Sequence, residues 1–577
     1  MKQLNKIQLF ALVIISFIII GLALYINSLN NEFIWDDDDS IVNNVYIQDF
    51  KYFPNYFSEN LIAGSGQITN YWRPILLTSF ALDFKLYNLN PTGFHLTNTV
   101  LHILVAILAF FLLYSLSRKN FLLSYLPSLL FLVHPLQTEA ITYIAGRADP
   151  LSSVFVMLSL IFYVSFRKNL LKKSLILSFI FFILGLLTKE QVILLPALIL
   201  LIEICFFSTK ENWKKNIKIP IYFFLISVFY FLARITILNF NDILSGVNYV
   251  ETYNTNLWSR LLTFTWVMIK YFALLFAPFN LHMAYEVEPI TSIFSPSVFL
   301  FILAMICFLW IVYKTWNKDK LIAFGLFWFL IILLPRTNII SINRPLYEHW
   351  LYLPMLGFWL AIIVLIALGI EGIKNINKQK IIKSLLIILF IIFSLYLSFL
   401  TILRNNDWQD PITFYEKNLK YTPNSFIQKN NLGMAYAQEG RHEEAIIQYK
   451  EAISILDFYP QIHFNLANSL MALGRVTEAE EEYYKTIEIS PEFILPYSRL
   501  INLYVNEGDK EKILALIELL EKSIEPENYY NLLLSTYLYL SDYQKAIELT
   551  ENLIEKYPEN KNFKKILLDL RLNSISL

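Results

Sequence analysis

Apolar stretches recur through the first 405 positions of the chain, most of them near the roughly twenty residues needed to cross a bilayer and some shorter. Inside hydrocarbon every backbone N–H and C=O must be paired within its own segment, so a chain built this way folds as packed helices. The segments fall near 7–27, 95–116, 121–134, 137–166, 173–188, 190–208, 219–238, 296–314, 320–335, 350–370 and 382–403. They predict about eleven spans. The bulk composition agrees: 56% of the 577 residues are hydrophobic, 16% are charged, and the mean hydropathy is +0.48. A soluble domain carries about 25% charged residues. The 16% aromatic content suits membrane interfaces, where Trp and Tyr rings settle at headgroup level. No basic or acidic tail points to nucleic acid. Cys205 and Cys307 lie inside apolar runs with no disulfide or zinc spacing.

Charge placement predicts sidedness. Ile7 to Ile26 reads as an uncleaved anchor with the N-terminus in the cytoplasm. The basic clusters after it, from Arg118-Lys119 to Lys374…Lys383, should face the cytoplasm. All of them do so only if 258–279, with Arg260, Lys270 and Pro278, re-enters or lies along the outer interface instead of crossing. The outer face then collects the long loop 28–94, the turn at His134-Pro135, Thr188-Lys189-Glu190, the region 239–295 and 336–349. The composition, rich in Ile, Asn and Lys, points to a bacterial or archaeal plasma membrane.

From Phe426 a different period begins. Gly440, Gly474 and Gly508 are spaced 34 apart, and Asp542 occupies the next step. The units NLGMAYAQEGRHEEAIIQYKEAI and NLANSLMALGRVTEAEEEYYKTIEISP fit the tetratricopeptide pattern of paired antiparallel helices with a small residue at the turn. Such units bury their apolar sides only against neighbours, so about four of them should stack into an α-solenoid with a concave face. The expected fold is therefore all-α. A polytopic membrane domain occupies 1–405, a linker 406–425, the repeats 426–559 and a capping helix 560–577. The repeats read as a protein-binding surface, or alternatively as a rigid spacer.

The polar residues of the first 405 positions cluster at the outer face. Asp36-Asp37-Asp38-Asp39 follows the first span, and four adjacent carboxylates should raise at least one pKa. That run is either a solvated loop start or a general base, with a divalent cation as a further option. Glu139 and Arg147 sit eight residues apart, on one face if one helix carries both. Charges at membrane depth mark sites or neutralise one another. Lys189-Glu190 and Arg344…Glu348-His349 add cations beside acids, a set suited to an anionic phosphate. His102, on an apolar face, reads as a packing residue. No Walker loop and no GxGxxG after a strand is present.

The motifs WDDDDSIVNN, YWRPILLTSFALDFKLYNLNPTGFHLTNTVLHIL, LFLVHPLQTEAITYIAGRADPLSSVF, LLTKEQ, RLLTFTWVMIKYFALLFAPFNLHMAYE and YEHWLYLPMLGF run in that order ahead of the repeats. In this the chain resembles the TMTC family, transmembrane proteins with tetratricopeptide repeats, within the GT-C type of glycosyltransferases. The resemblance implies transfer of a sugar, mannose in that family's manner, from a polyprenyl-phosphate donor to protein Ser/Thr hydroxyls on the extracytoplasmic side. It puts the acidic pair on Asp36 and Asp37, with Asp36 favoured as base. It makes Arg147, Lys189, Arg344 and His349 phosphate contacts and lets His134 and Glu139 shape the pocket, with Glu190 and Glu348 beside them. His349 stands where the family commonly has Arg. Transfer onto a glycan or lipid, and a non-catalytic anchored scaffold, are the alternatives. The donor lipid and a protein on the repeats are the expected partners.

Overall fold

The computed structural model describes residues 5–207, 217–236, 256–283, 285–339, 344–523 and 529–575. The basic cluster at Lys210–Lys215 and the whole of 237–255 lie outside the described residues. Among those described there is helix and no strand. The chain divides into two compact units, Met1–Tyr421 and Thr422–Leu577.

In the first unit the helices begin where the sequence offers a cap. Asn5, Asn90, Asn120, Asp319 and Asn375 each accept a hydrogen bond from a first-turn amide, and Pro91, Pro296 and Pro354 occupy first-turn positions. Nine helices among the described residues are long and apolar enough to cross a membrane. Helix Phe121–Val133 and the short segment Pro135–Ile141 form a tenth candidate bent by 58° at His134-Pro135. Helices Lys172–Leu186 and Lys320–Leu333 are shorter, 15 and 14 residues, which is why length alone passes fewer segments than the sequence suggests. Lys320–Leu333 crosses Pro354–Glu371 at two glycines. A Cβ on Gly325 would sit 2.4 Å from the Gly357 carbonyl oxygen, and one on Gly357 would sit 2.5 Å from that of Gly325. Small residues of this kind let helix backbones touch without a hydrophobic driving force.

One end of this unit is tied by side-chain hydrogen bonds. Buried Asn405 donates to the Leu24 carbonyl at 2.8 Å and accepts from the Thr142 hydroxyl at 2.9 Å, joining three segments. Asn31 donates to the Asn405 carbonyl, and His95 meets the Asn31 carbonyl at 3.1 Å. The loop after the first span is thus anchored at its start. Helix Leu257–Phe276 contacts this same end along its whole length. Arg260 donates to the Ile339 carbonyl, Tyr271 to that of Tyr347 at 3.0 Å, and the Leu275 carbonyl accepts from His134. Residues 406–421 continue the unit as Asn406–Trp408 and helix Pro411–Leu419.

The second unit is four helix pairs and a final helix. The pairs are Phe426–Gln438 with His442–Ile455, Pro460–Ala472 with Val476–Ile489, Ile494–Glu507 with Lys510–Ser523, and Tyr530–Tyr539 with Tyr543–Lys556. Gly440, Gly474 and Gly508 take φ of 74°, 73° and 73° between the paired helices, a left-handed conformation that favours glycine. In the fourth pair the left-handed residue is Ser541 at 58°, one position before the expected step. Asp542 instead caps the next helix, its carboxylate accepting from the Lys545 amide at 3.1 Å. The last helix, Lys561–Ile575, lays Phe563 against Tyr530 with ring centres 5.1 Å apart.

Candidate active site

The loop after the first span turns sharply at Trp35, a non-glycine residue at φ 59°. Strain of that kind persists only where the surroundings over-determine it. Here the indole stacks on Tyr143 at 5.6 Å, and Tyr143 stacks at the same distance on Trp408. The turn separates two adjacent carboxylates. Asp37 points inward and is 1% exposed, accepting from the Ala145 amide at 2.7 Å and from the Ile34 amide at 3.0 Å. Burial pushes its carboxyl up to about 8, against the pull of those two amides. Asp36 is open to solvent but ringed by protein. That enclosure raises its carboxyl to about 6, the Tyr143 hydroxyl opposing the rise and Asp39 adding to it. Asp38 is raised as well, again chiefly by burial. Mutual repulsion along the aspartate run is therefore the lesser cause. Among the described residues no three His, Cys, Asp or Glu side chains converge to hold a metal ion.

Glu139 and Arg147 do not share a helix face. The helix carrying Glu139 ends at Ile141, and a separate turn, Ile144–Arg147, follows. Arg147 is fully buried and saturated. It pairs with Asp83 at 2.5 Å and donates to Asn98 at 2.6 Å, to the Phe94 carbonyl at 3.1 Å and to the Ser79 carbonyl at 3.2 Å. No donor remains for a ligand, so the structure removes Arg147 from the phosphate set. His134 is also spent: it accepts from the Leu136 amide at 3.3 Å and meets the Leu275 carbonyl at 3.0 Å. His102 packs as expected between Tyr352 and the Leu132 carbonyl.

Glu139 instead holds His349. Its Oε2 accepts the His349 amide at 2.9 Å and its Oε1 meets the ring Nδ1 at 2.8 Å. Next to it Glu348 is fully buried, receiving the Tyr285 hydroxyl at 2.9 Å and facing Arg404 at 3.3 Å. Burial raises the Glu348 carboxyl while Arg404 lowers it. Lys189 pairs with Asp149 at 2.5 Å. Glu190 takes Arg73 at 2.9 Å and Arg234 at 3.3 Å. Arg344 is half-buried and makes no ion pair among the described residues.

Two of these residues, Asp149 and His349, line a cleft of about 30 Å³ together with Ser152 and Gln191, and Val156, Leu195, Leu198 and Ile332 form its apolar walls. Arg336 stands at its edge, donating to Gln191 at 3.3 Å, with its guanidinium 4.3 Å from the Trp350 ring centre and a buried Nε that has no partner among the described residues. Arg73, Lys189, Arg234 and Arg336 outnumber the acids among them, Asp149 and Glu190. Tyr347, its ring 5.1 Å from that of His349, lies within electrostatic reach of both Glu139 and Asp36. The cleft and the exposed aspartate thus share one end of the unit.

Sequence reasoning passed over Asp83, Asp149, Arg336 and Arg404. Arg404 closes a long apolar helix, and Arg336 follows one directly. A charge at the end of an apolar run was signal enough to include both. Nothing in the local sequence pairs Asp83 with Arg147, 64 positions later.

Sequence models described as TPR repeat or tetratricopeptide repeat match residues 433–474, 460–493 and 532–560. A protein O-mannosyl-transferase of Caenorhabditis elegans is 26% identical over 466 residues, covering 77% of this chain and 63% of its own length. The protein O-mannosyl-transferase TMTC3 of Homo sapiens is 25% identical over 535 residues, 84% of this chain and 56% of its own. The protein O-mannosyl-transferase TMTC2 of Homo sapiens is 36% identical over 153 residues, 25% of this chain. The chain spans less than two thirds of the length of the first two relatives. With apolar spans ahead of tetratricopeptide repeats, and these likenesses along most of its length, the chain is TMTC-like.

Proposed function

We propose that this chain is a membrane glycosyltransferase that moves a sugar, mannose by its relatives' names, from a polyprenyl-phosphate donor to Ser/Thr hydroxyls of proteins. The observation that carries the reading is the pairing of an exposed carboxylate with an amphiphilic cleft at the same end. Asp36 is the base. A carboxyl near 6 is mostly ionised at neutral pH and still basic enough to take a proton in the transition state. Asp37 is a positioning residue: its two backbone hydrogen bonds hold the turn that aims Asp36 outward. We assign the donor phosphate to the polar side of the cleft, where His349 lines it and Lys189 and Arg336 bond its lining residues Asp149 and Gln191.

The chemistry asks little more. A lipid phosphate is already a good leaving group, so the protein supplies a base, cationic contacts and alignment. The acceptor oxygen bonds to the anomeric carbon as its proton passes to Asp36. The bond from that carbon to the phosphate oxygen breaks, and the electron pair leaves with the phosphate. We place this end of the unit outside the cytoplasm, because helix Leu257–Phe276 touches it at both ends and so lies along it. By alternation of the spans, Arg118-Lys119, Arg167-Lys168, Lys314…Lys320 and Lys374…Lys383 then fall at the opposite end, as the positive-inside rule asks. Following the sidedness, we assign the repeats, with their stacked helix pairs, to binding the acceptor protein or a partner.

The test is to incubate the purified full chain with labelled polyprenyl-phosphate mannose and a Ser/Thr-rich peptide. Label on a peptide hydroxyl is the expected result. Transfer only to a glycan or lipid acceptor replaces the acceptor, and no transfer from any polyprenyl-phosphate sugar overturns the assignment.

A further inference from the structure

Helix Pro74–Tyr87 is apolar on both of its sides. One side, with Leu77 and Phe80, is buried in a core shared with Ile41 and Ile47 of the loop after the first span. At 3.6 residues per turn the opposite side carries Ile75, Leu82 and Leu86. Leu82 is 50% exposed and Leu86 70%, and Leu89, just past the helix end, is exposed as well. The one charge on that side of the helix is Lys85, whose ammonium lies over the exposed ring of Phe50. A helix face turned to water carries polar and charged side chains, whereas a helix that is apolar all round is covered on every side.

The place of the helix says what covers it. At its start Arg73 bonds Glu190 at 2.9 Å and the Ile75 amide donates to the Leu187 carbonyl at 3.1 Å, where one apolar helix ends and the next begins. In its middle Asp83 accepts from the Thr97 hydroxyl at 2.9 Å and pairs with Arg147 at 2.5 Å, both in the first two turns of further spans. At its end the Tyr87 ring lies on Gly93, where a Cβ would sit 2.2 Å from it. Over its 14 residues, about 21 Å, the helix therefore runs past span ends at a single level, along the bilayer surface and not away from it. From Leu89 the chain goes straight into span Pro91–Leu116, whose bare residues Leu96, Val100 and Leu104 recur every fourth position on its lipid side.

We propose that helix Pro74–Tyr87 is a membrane-surface helix: Leu82, Leu86, Leu89 and Phe50 enter the leaflet at this end of the spans, and Lys85 reaches its lipid phosphates. An apolar stripe beside an aromatic ring and a lysine suits the headgroup region, where the apolar side chains enter and the lysine stem lifts its ammonium outward. The proposal goes beyond the transferase reading and does not depend on it. It touches that reading through the shared core. The loop that carries Asp36 is built on this helix, so the helix's seat in the leaflet fixes the height of that carboxylate above the lipid.

The experiment reconstitutes the full chain in phosphatidylcholine vesicles with a fluorophore on Leu86→Cys, in a Cys307→Ser background. The other native thiol, Cys205, is buried. Two reference sites carry the same label, Val100→Cys on the lipid side of a span and Glu481→Cys, exposed on the repeats. Lipids brominated high on the acyl chain should quench the Leu86 label more than lipids brominated near the chain end, because a surface helix enters only about 5–10 Å. The order should reverse at Val100, about 14 Å along its span from Pro91. Iodide in the water should quench the Glu481 label and spare the one at Leu86. Photolabelling of the wild-type chain by a diazirine on the lipid acyl chain needs no substitution, and it should mark the peptide that carries Leu82, Leu86 and Leu89. Iodide quenching at Leu86 equal to that at Glu481, with no effect of brominated lipid and no photolabel, puts the stripe in water and overturns the proposal. A Leu86 label shielded from both quenchers, with no photolabel, means that a second copy or another part of this chain covers the stripe, and overturns it too. Neither result bears on whether sugar is transferred.

Discussion

Replacing Asp36 and Asp37 one at a time by asparagine should separate chemistry from scaffold in two side chains that are neighbours in sequence. Asp36 is exposed, with the Tyr143 hydroxyl as its side-chain hydrogen-bond contact. Asp36→Asn therefore costs the fold no more than about 0.5 kcal/mol, the usual range for a surface position. It removes the base, and a positioned general base contributes about 10² to 10⁴ in rate. Asp37→Asn does the reverse. Both Asp37 oxygens accept backbone amides, from Ile34 and Ala145, in a site 1% exposed. An asparagine keeps one acceptor and turns its NH₂ against the other amide, leaving buried donors face to face at a cost of about 1–3 kcal/mol. The turn at Trp35 loosens with it, and Asp36 loses its aim. The assay pairs initial rates of sugar transfer with unfolding of the detergent-purified protein, followed by tryptophan fluorescence. Asp36→Asn should unfold with the wild-type protein and transfer at least a hundredfold more slowly. Asp37→Asn should unfold earlier and lose activity only in part. An Asp36→Asn protein within tenfold of wild-type rate, or an Asp37→Asn protein that is inert at unchanged stability, refutes the division of labour.

Three further outcomes follow from the same contacts. The transfer rate should rise with pH through about 6 as Asp36 ionises; a rate flat across that range contradicts the assignment of Asp36 as base. Stability carries its own pH dependence through Asp37, whose carboxyl is raised in the fold: the folded state holds that proton above pH 4, so resistance to unfolding should decline as pH rises through about 8, and Asp37→Asn should flatten the decline. Arg147→Met strands Asp83 in a buried site and should cost about 3–5 kcal/mol, with Arg147→Met and Asp83→Leu together recovering much of it in the same unfolding assay.

What the sequence made legible is what local pattern encodes. Apolar runs gave the helices, Asn and Pro gave their starts, and the spacing of Gly440, Gly474 and Gly508 gave the repeats with their left-handed turns. The fourth turn was misplaced by one residue because Ser541, not a glycine, takes the strained position, and composition carries no mark of that choice. The site was legible as a collection and not as a set of pairings. Six of its charged residues, Asp36, Asp37, Glu139, Lys189, Glu190 and Glu348, were found from their place at span ends, yet which charge neutralises which depends on contacts across the helix bundle. Glu139 reaches His349 over 210 positions, and Arg147 reaches Asp83 instead of the Glu139 that helix spacing suggested.

Those pairings decide which charges remain for a ligand. A buried cation with every donor used serves the fold, because taking it from its partner leaves an uncompensated charge behind. By that rule Arg147, with Asp83, Asn98 and two carbonyls, is structural, although it is the most conspicuous charge in the apolar sequence. Arg336, with one hydrogen bond, a ring contact and a buried Nε without a partner among the described residues, still has donors to offer. A ligand that enters the cleft meets the groups the fold has left unsatisfied. Substituting Arg336 by Gln should therefore weaken binding of polyprenyl phosphate by roughly tenfold or more while leaving polyprenol unaffected, since a hydrogen bond to a charged group is worth about 1.5–3 kcal/mol. Equal loss for both ligands would mean that Arg336 shapes the apolar wall through Trp350 and does not hold the phosphate.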